Sequence, residues 1–282
     1  MSKLRAVASF SSLILGLMTW LTSGSALAHA LCQRPTLVPN ETSLIAPAGL
    51  RAQTFDGSAL SAWMLNQSAC VSRTRVIRAP GVSSVARTAA LSSGGSANAS
   101  ALHFTADDDD VAPLTPTANP RAQLVSPLLI HRDRDYWESF EVYLPPSFPR
   151  TQSTGGWISL QTVMYGRPFK GTPPASLSVE DGQFRYELNG YGPHPWALAW
   201  SKPEVRGRWL RFTWHFRASR QGWVELWVDG RQQALSNGAR RWRRMPVAMI
   251  DPTDDLGQWY TDLQLYYKHG EFPSLSVDFR DF

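Results

Sequence analysis

The stretch Arg208–Phe216 reads RWLRFTWHF. Successive side chains of a β-strand point to opposite faces, and here the two sets differ completely. Leu210, Phe212, Trp214 and Phe216 are apolar, whereas Arg211, Thr213, His215 and Arg217 are polar or charged. Period-two alternation of this kind predicts a strand with one face in a core and the other in water. The next run, WVELWVDG at Trp223–Gly230, repeats the logic with Val224, Leu226 and Val228 on the core side. Its Asp229-Gly230 pair predicts a tight hairpin turn, because such a turn needs positive φ and glycine tolerates it. Trp223 and Trp227 flank Glu225 on the other face, where they either stack on sugar rings or pack beneath a neighbouring loop.

Working outward, TRVIR, LHFTA, SFEVYLP, GWISLQTVM, ASLSV and QFRYEL carry the same signal, and Asp181-Gly182 marks a second hairpin. Helix patterns are sparse. Many short strands separated by turn residues predict an all-β protein, a sandwich or jelly roll of two antiparallel sheets. No repeat of fixed period is present, and the Gly/Ser run SSGGSANAS at 92–100 reads as a loop.

The chain has 282 residues. Lys3 and Arg5 precede an apolar run from Phe10 to Leu21, and SALAHA then offers small-residue cleavage sites after Ala28 or Ala30. Residues 1–30 are therefore expected to be a signal peptide and 31–282 one β domain, secreted or periplasmic, with no membrane span after cleavage. Export favours a disulfide between Cys32 and Cys70, the only two cysteines. The net charge is +5, and it is concentrated: Lys202–Arg244 holds eleven Lys or Arg against Glu204, Glu225 and Asp229. Such a patch favours a polyanion. For an exported protein that means an acidic polysaccharide rather than nucleic acid, and a monomer is expected.

Three segments supply polar groups to what alternation makes a shared face. In NPRAQLV these are Arg121, Gln123 and Val125. In GWISLQTVMY the expected outward set is Trp157, Ser159, Gln161, Val163 and Tyr165, with Ile158, Leu160, Thr162 and Met164 in the core. YYKHGEF, Tyr266–Phe272, reads as a strand in which Tyr266, Lys268, Gly270 and Phe272 share a face with Gln264. His269 points away.

Taken together, PRAQLVSPLLIHRDRDYWESFEVYLPPSFP, SLQTVMYGRP, GRWLRFTWHFRASRQGWVELWVDG and YYKHGEF resemble, in order from Asn119 to the end, the heparin lyase I-like polysaccharide lyases. The jelly-roll alginate lyases are a more distant likeness. The resemblance implies a concanavalin A-like β-jelly roll whose concave face binds a uronate-containing chain. It implies that Arg121 holds the substrate carboxylate with Gln123 in place of an acid, that Gln161 neutralises the uronate, and that Lys268 is the site lysine. Two positions depart from it. The histidine expected two residues after the glutamine is Val163, and the tyrosine expected four after the lysine is Phe272.

The departures bear on chemistry. Elimination from a 4-linked uronate removes the C5 proton beside a carboxylate, so the carboxylate charge must be neutralised first, which Arg121, Gln161 and Lys268 are suited to do. A base and an acid must then reach the reacting atoms. Val163 and Phe272 supply neither, leaving Tyr266 and Tyr165 as proton-transfer candidates and Trp157 as a substrate contact. A protein that binds the glycan without cutting it is the alternative. Other chemistries fit less well. No cofactor or metal is expected: the six histidines are scattered, and DDDD at Asp107–Asp110 reads as a solvated loop rather than a calcium site. No Gly-x-Ser-x-Gly elbow or phosphate-cradling loop occurs. Glu138 and Glu141, three apart on one strand, should face opposite ways and cannot form a glycosidase pair, and Glu225 alone is insufficient.

Overall fold

A computed structural model describes residues 65–66, 73–80, 100–110, 119–150, 155–165, 173–189, 196–219, 222–243 and 258–280. All lie in the larger of two compact units, Arg34–Phe282. The signal segment, Cys32 and Cys70 lie outside the described residues.

The strands in chain order are β1 (Leu65–Asn66), β2 (Thr74–Arg78), β3 (Ser100–Asp107), β4 (Arg121–His131), β5 (Asp135–Tyr143), β6 (Ile158–Tyr165), β7 (Ala175–Glu180) and β8 (Gln183–Leu188). There follow β9 (Ala197–Pro203), β10 (Trp209–Arg217), β11 (Trp223–Val228), β12 (Arg231–Gln232), β13 (Trp242–Arg243), β14 (Gln258–Tyr267) and β15 (Ser274–Arg280). They form a seven-stranded sheet in the order β1-β4-β14-β6-β7-β8-β9 and an eight-stranded sheet in the order β12-β11-β10-β5-β15-β3-β2, with β13 beside β11. Both are antiparallel. This is the expected all-β sandwich.

Alternation in β10 holds as read: Leu210, Phe212, Trp214 and Phe216 are buried in the core. They meet Phe140 and Val142 of β5 beside them and, from the facing sheet, Phe184 and Tyr186 of β8. Each such burial contributes about 1.5–3 kcal/mol. Both Asp-Gly pairs are two-residue hairpin turns, with φ of 52° and 72° at Asp181 and Gly182 and of 49° and 73° at Asp229 and Gly230. They close β7 onto β8 and β11 onto β12.

Three expectations fail for identifiable reasons. First, β6 bulges: its register with β7 and β14 shifts between Ser159 and Gln161. The extra residue reverses the alternation beyond it. Leu160, Gln161 and Val163 face the interior, while Thr162 and Met164 face out beside Asp262 and Tyr260 of β14. Second, YYKHGEF is not one strand. β14 ends at Tyr267, the chain turns through Lys268–Glu271 with Glu271 N donating to Lys268 O at 3.2 Å, and Phe272 is buried against Tyr267 in the core. Third, DDDD is not a solvated loop. Asp107 and Asp110 both pair with Arg73, Asp110 is buried, and Asp108 accepts from Gly270 N at 2.7 Å. The segment joins the start of β2 to the turn after β14.

Candidate functional site

The site is built on the outer face of the first sheet, where β4, β14 and β6 run side by side. Register pairs Tyr266 with Arg121 and Gln264 with Gln123 across β14 and β4, and Asp262 with Thr162 across β14 and β6. Their neighbours Ala122, Leu124, Leu263, Leu265 and Tyr267 turn the other way into the core. Period two thus fixes which groups share the outer face.

At the centre, the Arg121 guanidinium lies 4.2 Å from the centroid of the Tyr266 ring. Trp157 meets the same ring edge-on at 4.8 Å, and Asn119 Nδ2 donates to the Tyr266 hydroxyl at 3.1 Å. Tyr266 is half-buried and Arg121 is buried. Arg121 Nη1 donates to Gln123 Oε1 at 3.2 Å, while Arg121 Nε finds no hydrogen-bond partner among the described residues. A buried guanidinium N–H without an acceptor is an exception to the rule that buried polar groups are paired.

Behind this lies a hydrogen-bonded floor. Gln123 Nε2 donates to Asp262 Oδ2 at 2.6 Å, and Asp262 Oδ1 accepts from Thr162 Oγ1 at 2.7 Å and Thr162 N at 3.1 Å. Gln264 Nε2 donates to Ser159 Oγ at 2.7 Å, and Ser159 Oγ lies 3.2 Å from Ser176 Oγ on β7. Asp262 has no exposed surface. Burial pushes its carboxyl up to about 6, against the opposing pull of the Thr162 and Gln123 hydrogen bonds and of Arg121.

The sequence-derived candidates therefore separate. Arg121, Gln123, Tyr266 and Trp157 converge. Lys268 is exposed, one residue beyond the end of β14 and past the Arg121 register position. Tyr165 ends β6, and its side chain lies outside the described residues. Gln161 does not face this site. The bulge turns it inward, where its Nε2 lies 3.2 Å and 3.3 Å from the two carboxyl oxygens of Glu138 on the opposite sheet. Glu138 is pushed up to about 8 by burial, against the Gln161 hydrogen bond, and the nearby Asp262 charge raises it further. Val163 and Phe272, at the two departing positions, are both in the core. Glu141 faces the other way from Glu138, as expected, and is held by Arg211 and Arg280. Asp262 and Thr162 are the residues the reading of the sequence missed. Asp262 shares period-two spacing with Gln264 and Tyr266, a signal that was present; Thr162 was hidden by the bulge. Among the described residues no group of three or more His, Cys, Asp or Glu is placed to hold a metal ion.

The polysaccharide lyase family model matches residues 72–273, well over half of the chain. The chain belongs to the polysaccharide lyase family. An endo-β-1,4-glucuronan lyase from the fungus Trichoderma reesei shares the fold of this polysaccharide lyase family member with a TM-score of 0.55 at 13% identity, over 84% of this chain and 94% of the other. The fold is thus the jelly roll of such lyases. An alginate lyase from Pseudomonas aeruginosa aligns with a TM-score of 0.41 at 13% identity over 64% of this chain and 79% of the other. A GH131 β-glucanase catalytic domain from Podospora anserina aligns at 0.45 and 12% identity over 86% and 85%. No curated protein matches the sequence.

Proposed function

We propose that this polysaccharide lyase family member is an exported protein that cleaves an acidic, uronate-containing polysaccharide by β-elimination on the Arg121–Tyr266 face. The observation that carries the reading is the Arg121 guanidinium held over the Tyr266 ring at 4.2 Å with its Nε–H unpartnered among the described residues. Arg121 takes the uronate carboxylate, which lowers the cost of the carbanion-like charge that develops beside it. The Tyr266 hydroxyl is the proton-transfer group. As a phenolate it takes the C5 proton, electrons move to form the C4=C5 double bond, the C4–O bond breaks, and the leaving oxygen takes that proton from the Tyr266 hydroxyl, which restores the phenolate. Gln123 and Asp262 hold Arg121 in place from behind, Trp157 supports the phenol, and Lys268 at the rim draws in a polyanion. Export rests on the amino-terminal charged and apolar pattern.

The experiment is to incubate the mature protein with glucuronan, alginate, heparin-type and pectin-type polymers and follow the near-ultraviolet absorbance of the unsaturated uronate. A rise with one of them supports the reading, and its identity gives the specificity. One observation favours a second reading, binding without cleavage: Val163 and Phe272 stand where the resembled lyases have histidine and tyrosine, and both are buried in the core. Retention on acidic polymers with no absorbance change across the panel would select it.

A further inference from the structure

The outer face of the second sheet, on the far side of the sandwich from Arg121 and Tyr266, carries an aromatic cluster that the chemistry above does not use. Register aligns Trp137 of β5, His215 of β10 and Glu225 of β11 in one row. Trp137 lies flat on the His215 imidazole, with centroids 3.8 Å apart and planes at 10°, and Trp227 leans on it at 5.1 Å. His215 Nδ1 is 2.9 Å from Glu225 Oε2, and its ring meets the edge of Trp223 at 4.6 Å. Arg241 closes the set, donating from Nε to Glu225 Oε1 at 2.7 Å and placing its guanidinium 3.9 Å from the Trp223 ring. Trp223 and Glu225 are buried by this arrangement. Trp137 is 50% exposed.

A half-exposed indole is costly to leave in water, and an unsupported one would fold down onto the surface. Here hydrogen-bonded and stacked groups from β5, β10, β11 and the residue just before β13 hold it still. A rigid, flat ring facing solvent is pre-ordered to stack on the C–H face of a pyranose, with little further entropy to lose. The charges around it choose the sugar. Arg217 and Arg211 lie on the same face of β10 as His215, and their side chains are 41% and 45% exposed. The acids of this face are already matched: Asp135 with Arg217, Glu141 with Arg211 and Arg280, Glu225 with Arg241 and His215, and Asp278 with His103. Arg240, two residues before β13, is exposed as well. Exposed guanidiniums beside a sugar-stacking ring suit carboxylate or sulfate groups, which they can grip in bidentate fashion.

We propose that this face is a second, non-catalytic binding surface centred on Trp137, and that it takes a chain of acidic pyranoses. It lies on the opposite sheet from the candidate cleavage site, so a polymer held here leaves that site open to another stretch of chain.

The test is affinity electrophoresis of the mature full-length chain in gels containing glucuronan, alginate or a neutral mixed-linkage glucan. Trp137→Ala and Arg217→Ala are compared with wild type, each also in an Arg121→Ala background that disables the other face. Circular dichroism and Tm confirm folding. Retardation of Arg121→Ala by an acidic polymer, weakened about ten-fold by adding Trp137→Ala, with Trp137→Phe restoring part of it and Arg217→Ala acting only in the acidic gels, supports the proposal. Retardation unchanged by Trp137→Ala in both acidic gels overturns it. So does a loss that is equal in the neutral gel. Loss of self-association in sedimentation, without loss of retardation, would assign the face to a second copy of the chain instead and equally overturn it. None of these readings depends on cleavage, so failure of the elimination chemistry and failure of this surface are told apart.

Discussion

The Arg121 guanidinium sits 4.2 Å over the Tyr266 ring, and the two residues are register partners on adjacent strands. The contact therefore comes from the sheet itself rather than from a loop. In the proposed mechanism, a cation fixed on a phenol's face puts the carboxylate-binding group and the proton-transfer group within one sugar's width, which is what elimination beside a carboxylate needs.

Tyr266→Phe keeps the ring under Arg121 and beside Trp157 and removes only the hydroxyl, with its hydrogen bond from Asn119. Elimination should fall by about 100-fold or more, while retention on the polymer and the Tm change little, since one such hydrogen bond contributes about 1 kcal/mol. Initial rates and affinity electrophoresis on the same preparation check this. A variant as active as wild type would remove Tyr266 from the mechanism.

Asp262 accepts from Gln123 and twice from Thr162 while fully buried. Asp262→Ala leaves three donors without that acceptor, at about 1–3 kcal/mol each when buried. It should lower Tm and also weaken carboxylate binding, because Gln123 then loses the acceptor that orients its amide toward Arg121. Asp262→Asn should recover most of the stability and less of the binding. Equal recovery of both would make Asp262 purely structural.

Glu138 predicts an acid-side gain in stability. Its folded value is raised to about 8 from an ordinary 4.5, so the folded state holds the proton more tightly than the unfolded chain. Its contribution is fully present below about pH 4.5 and lost as pH rises toward 8. Asp262, raised to about 6 from 3.8, acts in the same direction over a lower window. Solvent reaches part of Glu138, so the expected span is on the order of a few kcal/mol at most. Glu138→Gln should flatten the fall in Tm between pH 5 and pH 8, a window set by that shift, and raise Tm at the alkaline end. A Tm profile with the same slope in both proteins would show that Glu138 does not titrate there.

The fold was legible because strand alternation depends only on side-chain direction. RWLRFTWHF and the two Asp-Gly turns needed no tertiary information, and they form as read. The site was legible where strands stay regular: Arg121 and Gln123 on β4, and Gln264 and Tyr266 on β14, share the face that counting by two assigns. It failed where geometry leaves the regular strand. One extra residue in β6 sends Gln161 to Glu138 and brings Thr162 to Asp262. The turn after Tyr267 sends Phe272 into the core and leaves Lys268 exposed at the rim. A bulge and a strand end are set by pairing with neighbours, which a single strand's pattern does not encode. The packing of the two tryptophans around Glu225 likewise depends on neighbouring strands: Trp223 is buried against His215 and Arg241, and Trp227 leans on Trp137 of β5.

The central claim is that Arg121 and Tyr266 break a uronate chain without water. Mass spectrometry of the new non-reducing ends released from glucuronan and alginate tests it most directly. Ends lighter by one water than hydrolysis would leave, formed by the wild-type protein and absent with Tyr266→Phe and with Arg121→Ala, are the predicted result. Full-mass ends, or unsaturated ends formed as fast by both variants as by wild type, would contradict it.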